Sequence, residues 1–168
     1  MKKIIALLFI ISSFATAQEN TNFSSDGVIS LSDNEFGFIL TLVEDLNRAI
    51  EIWDTVTQIP GLSASTEVTK NGRISIFVVF GTMKDEIPNL TYDVKLKEPN
   101  GSFSPDEYND LIISREKVNK NMFFRARQLL TIQFDETDEF GKYQFHISIK
   151  NGGRIIYNLV MEFEYLEK

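Results

Sequence analysis

The chain of 168 residues has no cysteine, one histidine, one tryptophan and four prolines. Without thiols there is no disulfide, no thiolate metal site, no thiol nucleophile and no cysteine-borne lipid anchor. A zinc site at His146, the lone histidine, would need carboxylates to complete it. No apolar run reaches the about 20 residues that a membrane-spanning helix requires. A Gly-x-Ser-x-Gly elbow and a glycine-rich phosphate loop are both missing. Basic residues are in deficit, 17 against 24 acidic ones, for a formal charge of −7. That balance disfavours nucleic acid or an anionic membrane as partner, because both are bound through Lys/Arg patches.

What is present begins with Met1-Lys2-Lys3, an apolar run from Ile4 to Ile11, then Ser12-Ser13-Phe14 and Ala15-Thr16-Ala17. A short basic stretch, an apolar stretch and a small-x-small site in that order make a bacterial-type signal peptide. Residues 1–17 are expected to be removed, 18–26 to form a flexible polar tail and 27–168 a single domain. Loss of Lys2 and Lys3 leaves 15 basic against 24 acidic residues, a net charge of −9. The mature chain is expected in the periplasm or outside the cell, with no membrane insertion. Fourteen Phe and five Tyr supply large groups for one core that stands without disulfides.

Hydrophobic periodicity points mainly to strands. Phe36, Phe38, Leu40 and Leu42 alternate, as do Leu130, Ile132 and Phe134, and Tyr143, Phe145, Ile147 and Ile149. Leu90 to Lys97 alternates as a half-buried strand. Ile155, Tyr157, Leu159, Met161, Phe163 and Tyr165 line one face of a long last strand. Gly27 to Asp33 reads as a first strand. Ser63–Lys70, Asn71-Gly72 and Arg73–Phe80 read as a hairpin on a type I′ turn. Ile76 to Phe80 is apolar on both faces, which predicts cover on both sides. Leu42, Val43, Leu46, Ala49, Ile50 and Trp53 recur at helical spacing and predict a short helix over about Val43–Asp54. Pro99-Asn100-Gly101 and Asn151-Gly152-Gly153 read as turns. Ser102 to Lys120 reads either as a short helix capped by Ser104-Pro105 or as a long loop. Many short strands between turns predict an all-β sandwich.

Asp138-Glu139-Phe140-Gly141-Lys142-Tyr143-Gln144-Phe145 resembles the corner of immunoglobulin-like sandwiches. There an acidic residue, a Gly and a Tyr precede a core Cys, and the Tyr hydroxyl bonds back to the backbone. Phe145 stands here in place of that Cys. The wider layout, from about Phe36 to Phe163, is similar to a group of small exported bacterial proteins built on such a sandwich. Its landmarks are Trp53, Pro60, Gly72 before an apolar strand ending at Phe80-Gly81, Pro99-Asn100-Gly101 and the Asp138–Tyr143 corner. Many of these carry a Cys pair where this chain has Thr82 and Met83. The resemblance implies an immunoglobulin-like antiparallel β-sandwich with one short helix near the N-terminus. It implies Asp138, Gly141 and Tyr143 as a structural corner, and it brings no active site.

The remaining candidates read more simply as structure. His146 falls on the Gln144/Ser148/Lys150 face and reads as a surface residue. Asp135-Glu136-Thr137-Asp138-Glu139 lacks the spacing of a calcium loop and reads as a solvated turn. Trp53, Tyr92, Tyr157 and Tyr165 read as core. Asn22, Asn89 and Asn100 begin glycosylation sequons, which matter only in a eukaryote. No catalytic residue, metal or cofactor is expected. The function expected is a non-enzymatic exported module that binds a protein, inhibitor- or immunity-like in one form. The alternatives are a structural component of the envelope or surface, and a hydrolase with carboxylates assembled in space. An exposed apolar patch, an unpaired edge strand and a pocket with facing carboxylates would distinguish the three.

Overall fold

The computed structural model describes residues 21–55 and 59–167, so the expected signal peptide and cleavage point lie outside the described residues. The protein is mainly β, with two sheets and one short helix. The first sheet contains β1 (Thr21–Ser24), β4 (Glu67–Thr69), β6 (Leu90–Lys97), β7 (Phe103–Ser114), β10 (Gly141–Asn151) and β11 (Arg154–Leu166). Its order is β1-β11-β10-β6-β7, and β4 joins the same strand as β1. The second sheet contains β2 (Val28–Ser32), β3 (Phe36–Val43), β5 (Arg73–Thr82), β8 (Phe123–Arg125) and β9 (Leu130–Gln133). Its order is β2-β3-β5-β8, with β9 also on β5.

Alternation places one face of each sheet in a shared core. Phe38, Leu40, Ile76, Val78 and Phe80 from one sheet meet Tyr92, Val94, Phe145, Ile147, Met161 and Phe163 from the other. The helix α1 (Leu46–Thr55) covers the outer face of the second sheet, where Ala49 joins Val43, Phe77 and Val79 in a smaller cluster. That cover explains why β5 is apolar on both faces. Trp53 packs at this site, its ring 6.1 Å from that of Phe77. The helix starts later than its periodicity suggests because Asp45 caps it: Asp45 Oδ1 accepts from Arg48 N at 2.9 Å. Val43 belongs to β3 instead.

Several sequence expectations need correction. Thr21–Ser24, expected in the flexible tail, is a strand that pairs in parallel with β11, Thr21 opposite Asn158. The sheet is therefore not purely antiparallel, and β4 adds a second parallel pair, Glu67 opposite Glu164. The segments on either side of Asn71-Gly72 do not form a hairpin, since β4 pairs with β11 and β5 with β3, β8 and β9. Asn71 has φ 60° and Gly72 N donates to Thr69 O at 2.7 Å, so the chain does turn. It turns from one sheet into the other. Residues 103–114 are neither helix nor loop but the long edge strand β7, paired with β6 through repeated register shifts. Ile155 leaves the core face because a register shift at Ile149/Lys150 rotates the start of β11. Gly152 and Gly153, with φ 58° and 84°, supply the two positive φ angles of a type I′ turn.

Candidate functional site

The corner residues singled out in the sequence meet at one end of the sheets. Tyr143 is 2% exposed, and its hydroxyl donates to Glu139 O at 2.7 Å. Burial, with the carboxylates of Asp138, Glu98 and Glu139 nearby, pushes that hydroxyl up to about 12. Asp138 Oδ2 accepts from Asp135 N at 2.7 Å, and Asp135 Oδ1 accepts from Thr137 N and Thr137 Oγ1 at 2.7 and 2.6 Å. The acidic cluster is thus a self-bonded turn. Gly141 sits at φ 137°, where an added Cβ would lie 3.2 Å from Pro99 Cβ. The sequence gives no sign that Tyr165 does similar work: its hydroxyl donates to Asp135 O at 2.9 Å, at the other end of the loop. Phe134 stacks on Tyr165 at 4.7 Å and stands edge-on to Tyr143 at 5.1 Å. These contacts tie the two ends of the 134–143 loop to the core.

The other candidates separate in space. His146 lies on the outer face of the first sheet against Phe103, ring centroids 5.0 Å apart. Burial, helped by the charge of Lys97, holds its imidazole below the ordinary value of 6.5. Lys150 lies on the same face, between Asp93 at 2.8 Å and Asp110 at 2.6 Å. Hydrogen bonds to Asp110 and Asp93 raise the Lys150 ammonium, and Lys150 lowers the Asp110 carboxyl in turn. Asp33 and Tyr157 link the two sheets, Tyr157 Oη donating to Asp33 Oδ2 at 2.6 Å. Burial opposes ionisation of Asp33, yet hydrogen bonds from Tyr157 and from the Phe36 and Glu35 amides outweigh it, and its carboxyl is lowered. No group of three His, Asp or Glu among the described residues is placed to hold a metal. The three sequon asparagines are exposed.

Sequence reasoning missed a different feature. The segments 81–87 and 118–123 run together at one end of the second sheet. Gly81 lies opposite Phe123, Asn121 N donates to Thr82 O at 2.9 Å, and Val118 N donates to Glu86 O at 2.9 Å. These segments expose Met83 (47%), Ile87 (70%), Met122 (50%) and Phe123 (42%). Beside them opens a cleft of about 410 Å³ between residues 113–118 and β8. Arg115, Lys117, Arg127, Phe80, Phe124 and part of Arg125 are among the residues that line it. Glu116 is the one acidic residue in the lining, and it pairs with Arg127 at 3.2 Å. One signal was available in the sequence: Arg115, Lys117, Lys120, Arg125 and Arg127 fall within thirteen residues of an otherwise acidic chain.

No family model and no curated protein matches the chain. Among solved structures, a family 123 glycoside hydrolase from Clostridium perfringens is similar at a TM-score of 0.47 and 13% identity. That match covers 78% of this chain and 27% of the hydrolase, so the chain spans about a quarter of that protein's length. A Niemann-Pick type C2 protein from the Japanese carpenter ant is similar at a TM-score of 0.44 and 8% identity, over 85% of this chain and 96% of that one. The C-terminal domain of wzt is similar at 0.44 and 12%, over 84% and 79%. Likenesses this distant carry no function across.

Proposed function

We propose that the chain is an exported, non-enzymatic binding module of immunoglobulin-like architecture. In this reading it presents the Met83/Ile87/Met122/Phe123 end of the second sheet to a protein partner. The exposure of those four side chains on adjacent, hydrogen-bonded segments is the observation that carries the proposal. Single exposed apolar residues are ordinary, whereas a group of them ringed by charge is a common mark of an interaction surface. Methionine adapts its shape to a partner, and a buried aromatic often anchors an interface. Lys84 follows Met83, Lys120 lies two residues before Met122, and both would form its polar rim. The order of charge, apolar run and cleavage site at residues 1–17 supports export. The Tyr143 to Glu139 bond supports the immunoglobulin-like corner.

The alternatives have weaker support. Assembly through a free edge would use β7, but that edge is blunted by Pro105, charged Asp106 and Glu107, and Asp110 at φ 55°. A glycoside hydrolase needs a carboxylic acid still protonated near neutrality. Asp33, Glu107, Asp110, Asp135 and Glu162, the carboxyls with a resolved shift, are all lowered.

The test is capture from the envelope fraction of the source cells, with the mature protein as bait in two forms. A stoichiometric partner held by the wild type and lost from Met122→Glu/Phe123→Glu, at unchanged melting temperature, supports the proposal. A partner held equally by both forms refutes it. Mass spectrometry of the exported protein should find Gln18 at its start, and a mature form retaining Met1 would overturn the export part.

A further inference from the structure

We propose that β2, the outermost strand of the second sheet, pairs with β2 of a second copy of this chain, antiparallel and in register about Ser30. The contact is separate from the Met83/Ile87/Met122/Phe123 patch and does not depend on it.

The ladder shows which main-chain groups are free. β2 ends its sheet, with β3 on one side and no strand on the other among the described residues. Gly27 O accepts from Leu42 N at 2.8 Å, and Asp33 N donates to Phe36 O at 2.9 Å. Both pairs continue the β2–β3 register, in which Ile29 lies opposite Leu40. Hydrogen-bonded and non-bonded pairs alternate along an antiparallel ladder. Gly27, Ile29, Leu31 and Asp33 therefore turn their N–H and C=O groups to β3. Val28, Ser30 and Ser32 turn theirs to the open edge, and all three residues are exposed.

Open edges are normally blunted by charge, proline, a bulge or short length. β7 carries Pro105, Asp106, Glu107 and several register shifts. β1, β4, β8 and β9 have at most 4 residues each. β2 runs Val28-Ile29-Ser30-Leu31-Ser32 with no charge, no proline and no break in register, in a chain of which 24% is charged.

This strand fits itself. A two-fold axis through Ser30, normal to the sheet, sets Val28 opposite the partner's Ser32 and Ser30 opposite the partner's Ser30. Each free N–H and C=O then meets its complement. The same axis sets Ile29, 6% exposed, opposite the partner's Leu31 on the core face, apolar against apolar. A strand from a partner of opposite charge would find nothing on β2 to attract it. The axis closes on itself, so it makes a pair and not the fibre that a long free edge such as β7 would carry. So short a strand buries well under the about 1,200 Å² of a standard interface, so the pair is weak.

Sedimentation equilibrium of the mature protein from about 10 to 500 µM, the range of weak association, should show the mass rising from monomer toward dimer. Added salt should tighten the pair, because Asp26 and Asp33 flank the strand in both copies. Ser30→Pro removes an N–H that β3 does not use, so the inner ladder stays and the dimer should be lost. Should that variant unfold, Ser30→Lys and Ser30→Glu decide the matter. Each alone should weaken pairing at least about threefold, and an equal mixture should restore it, because the axis at Ser30 puts the two side chains together. Ser30→Cys should crosslink on oxidation, since the Cα atoms of such a pair stand about 5.5 Å apart, within disulfide reach, and the chain has no other thiol. Lys120→Cys should not. A monomer at every concentration overturns the proposal. So does a dimer that the Ser30 variants leave unchanged, or one lost only in Met122→Glu/Phe123→Glu, which would place the contact at the apolar patch.

Discussion

Removing the Tyr143 hydroxyl tests the corner most directly. Tyr143→Phe deletes one oxygen and leaves the ring among Phe134, at 5.1 Å, and Phe163, at 5.6 Å. The acceptor, the Glu139 carbonyl, belongs to an exposed residue, so water can replace the lost donor. The cost is then one net hydrogen bond, about 1 kcal/mol, and not the larger penalty of a stranded buried acceptor. For a domain of this size that corresponds to roughly 2–4 °C in melting temperature. Tyr143→Ala also removes the ring from a closed aromatic cluster and should cost about 3–5 kcal/mol, by analogy with Phe→Ala. Tyr165→Phe releases Asp135 O from the far end of the same loop. Because both hydroxyls hold one loop, the double variant should depart from additivity by about 0.5 kcal/mol or more. Equilibrium urea unfolding measures all of these, with exposed Lys120→Ala as a control that should stay within about 0.5 kcal/mol. If Tyr143→Phe is indistinguishable from the control, the hydroxyl bond does not hold the corner and the reasoning fails.

Three further outcomes are expected. Gly141→Ala should destabilise by about 1–3 kcal/mol in the same assay, since φ 137° and a Cβ placed 3.2 Å from Pro99 both oppose a side chain; a neutral result would mean that the loop relaxes freely. His146 is held below its ordinary 6.5, so the unfolded chain binds its proton first as pH falls. Stability should therefore drop from about pH 6.5 downward, and His146→Gln should flatten the urea midpoint between pH 7.5 and 5; equal slopes in both proteins would remove His146 as the cause. EDTA should shift the melting temperature by less than about 2 °C, because no group of three ligands forms among the described residues; a larger drop would reveal a structural metal.

Strands whose side chains alternate were legible in the sequence. β6, β10 and most of β11 bury one face and leave the other more open, and that contrast is written residue by residue. β7 was not, because both faces of its outer half meet solvent, and Pro105 and the Asp110 kink read as loop signals. β1 was hidden for another reason: three polar residues and one exposed Phe pair with a strand more than a hundred residues away, and nothing local records it. Asn71-Gly72 shows that a turn sequence fixes where the chain bends but not which sheet it enters. The cleft was half legible. Its arginines cluster in the sequence, but only the fold shows that residues 113–118 and β8 bound one cleft.

β11 holds β10 along one edge and both β1 and β4 along the other. The chain is made from its other end. Residues 21–24 and 67–69 therefore exist long before the strand they pair with. β2, β3, β5, β8 and β9, by contrast, all precede residue 134 and can pair among themselves. During synthesis one sheet can close while its inner face, with Phe38, Leu40, Ile76 and Phe80, still waits for the other. Pairings so far apart in sequence are slow to form. The half-built state, an uncovered apolar sheet, is the form most open to aggregation or to a chaperone, and it lasts until the final strand arrives.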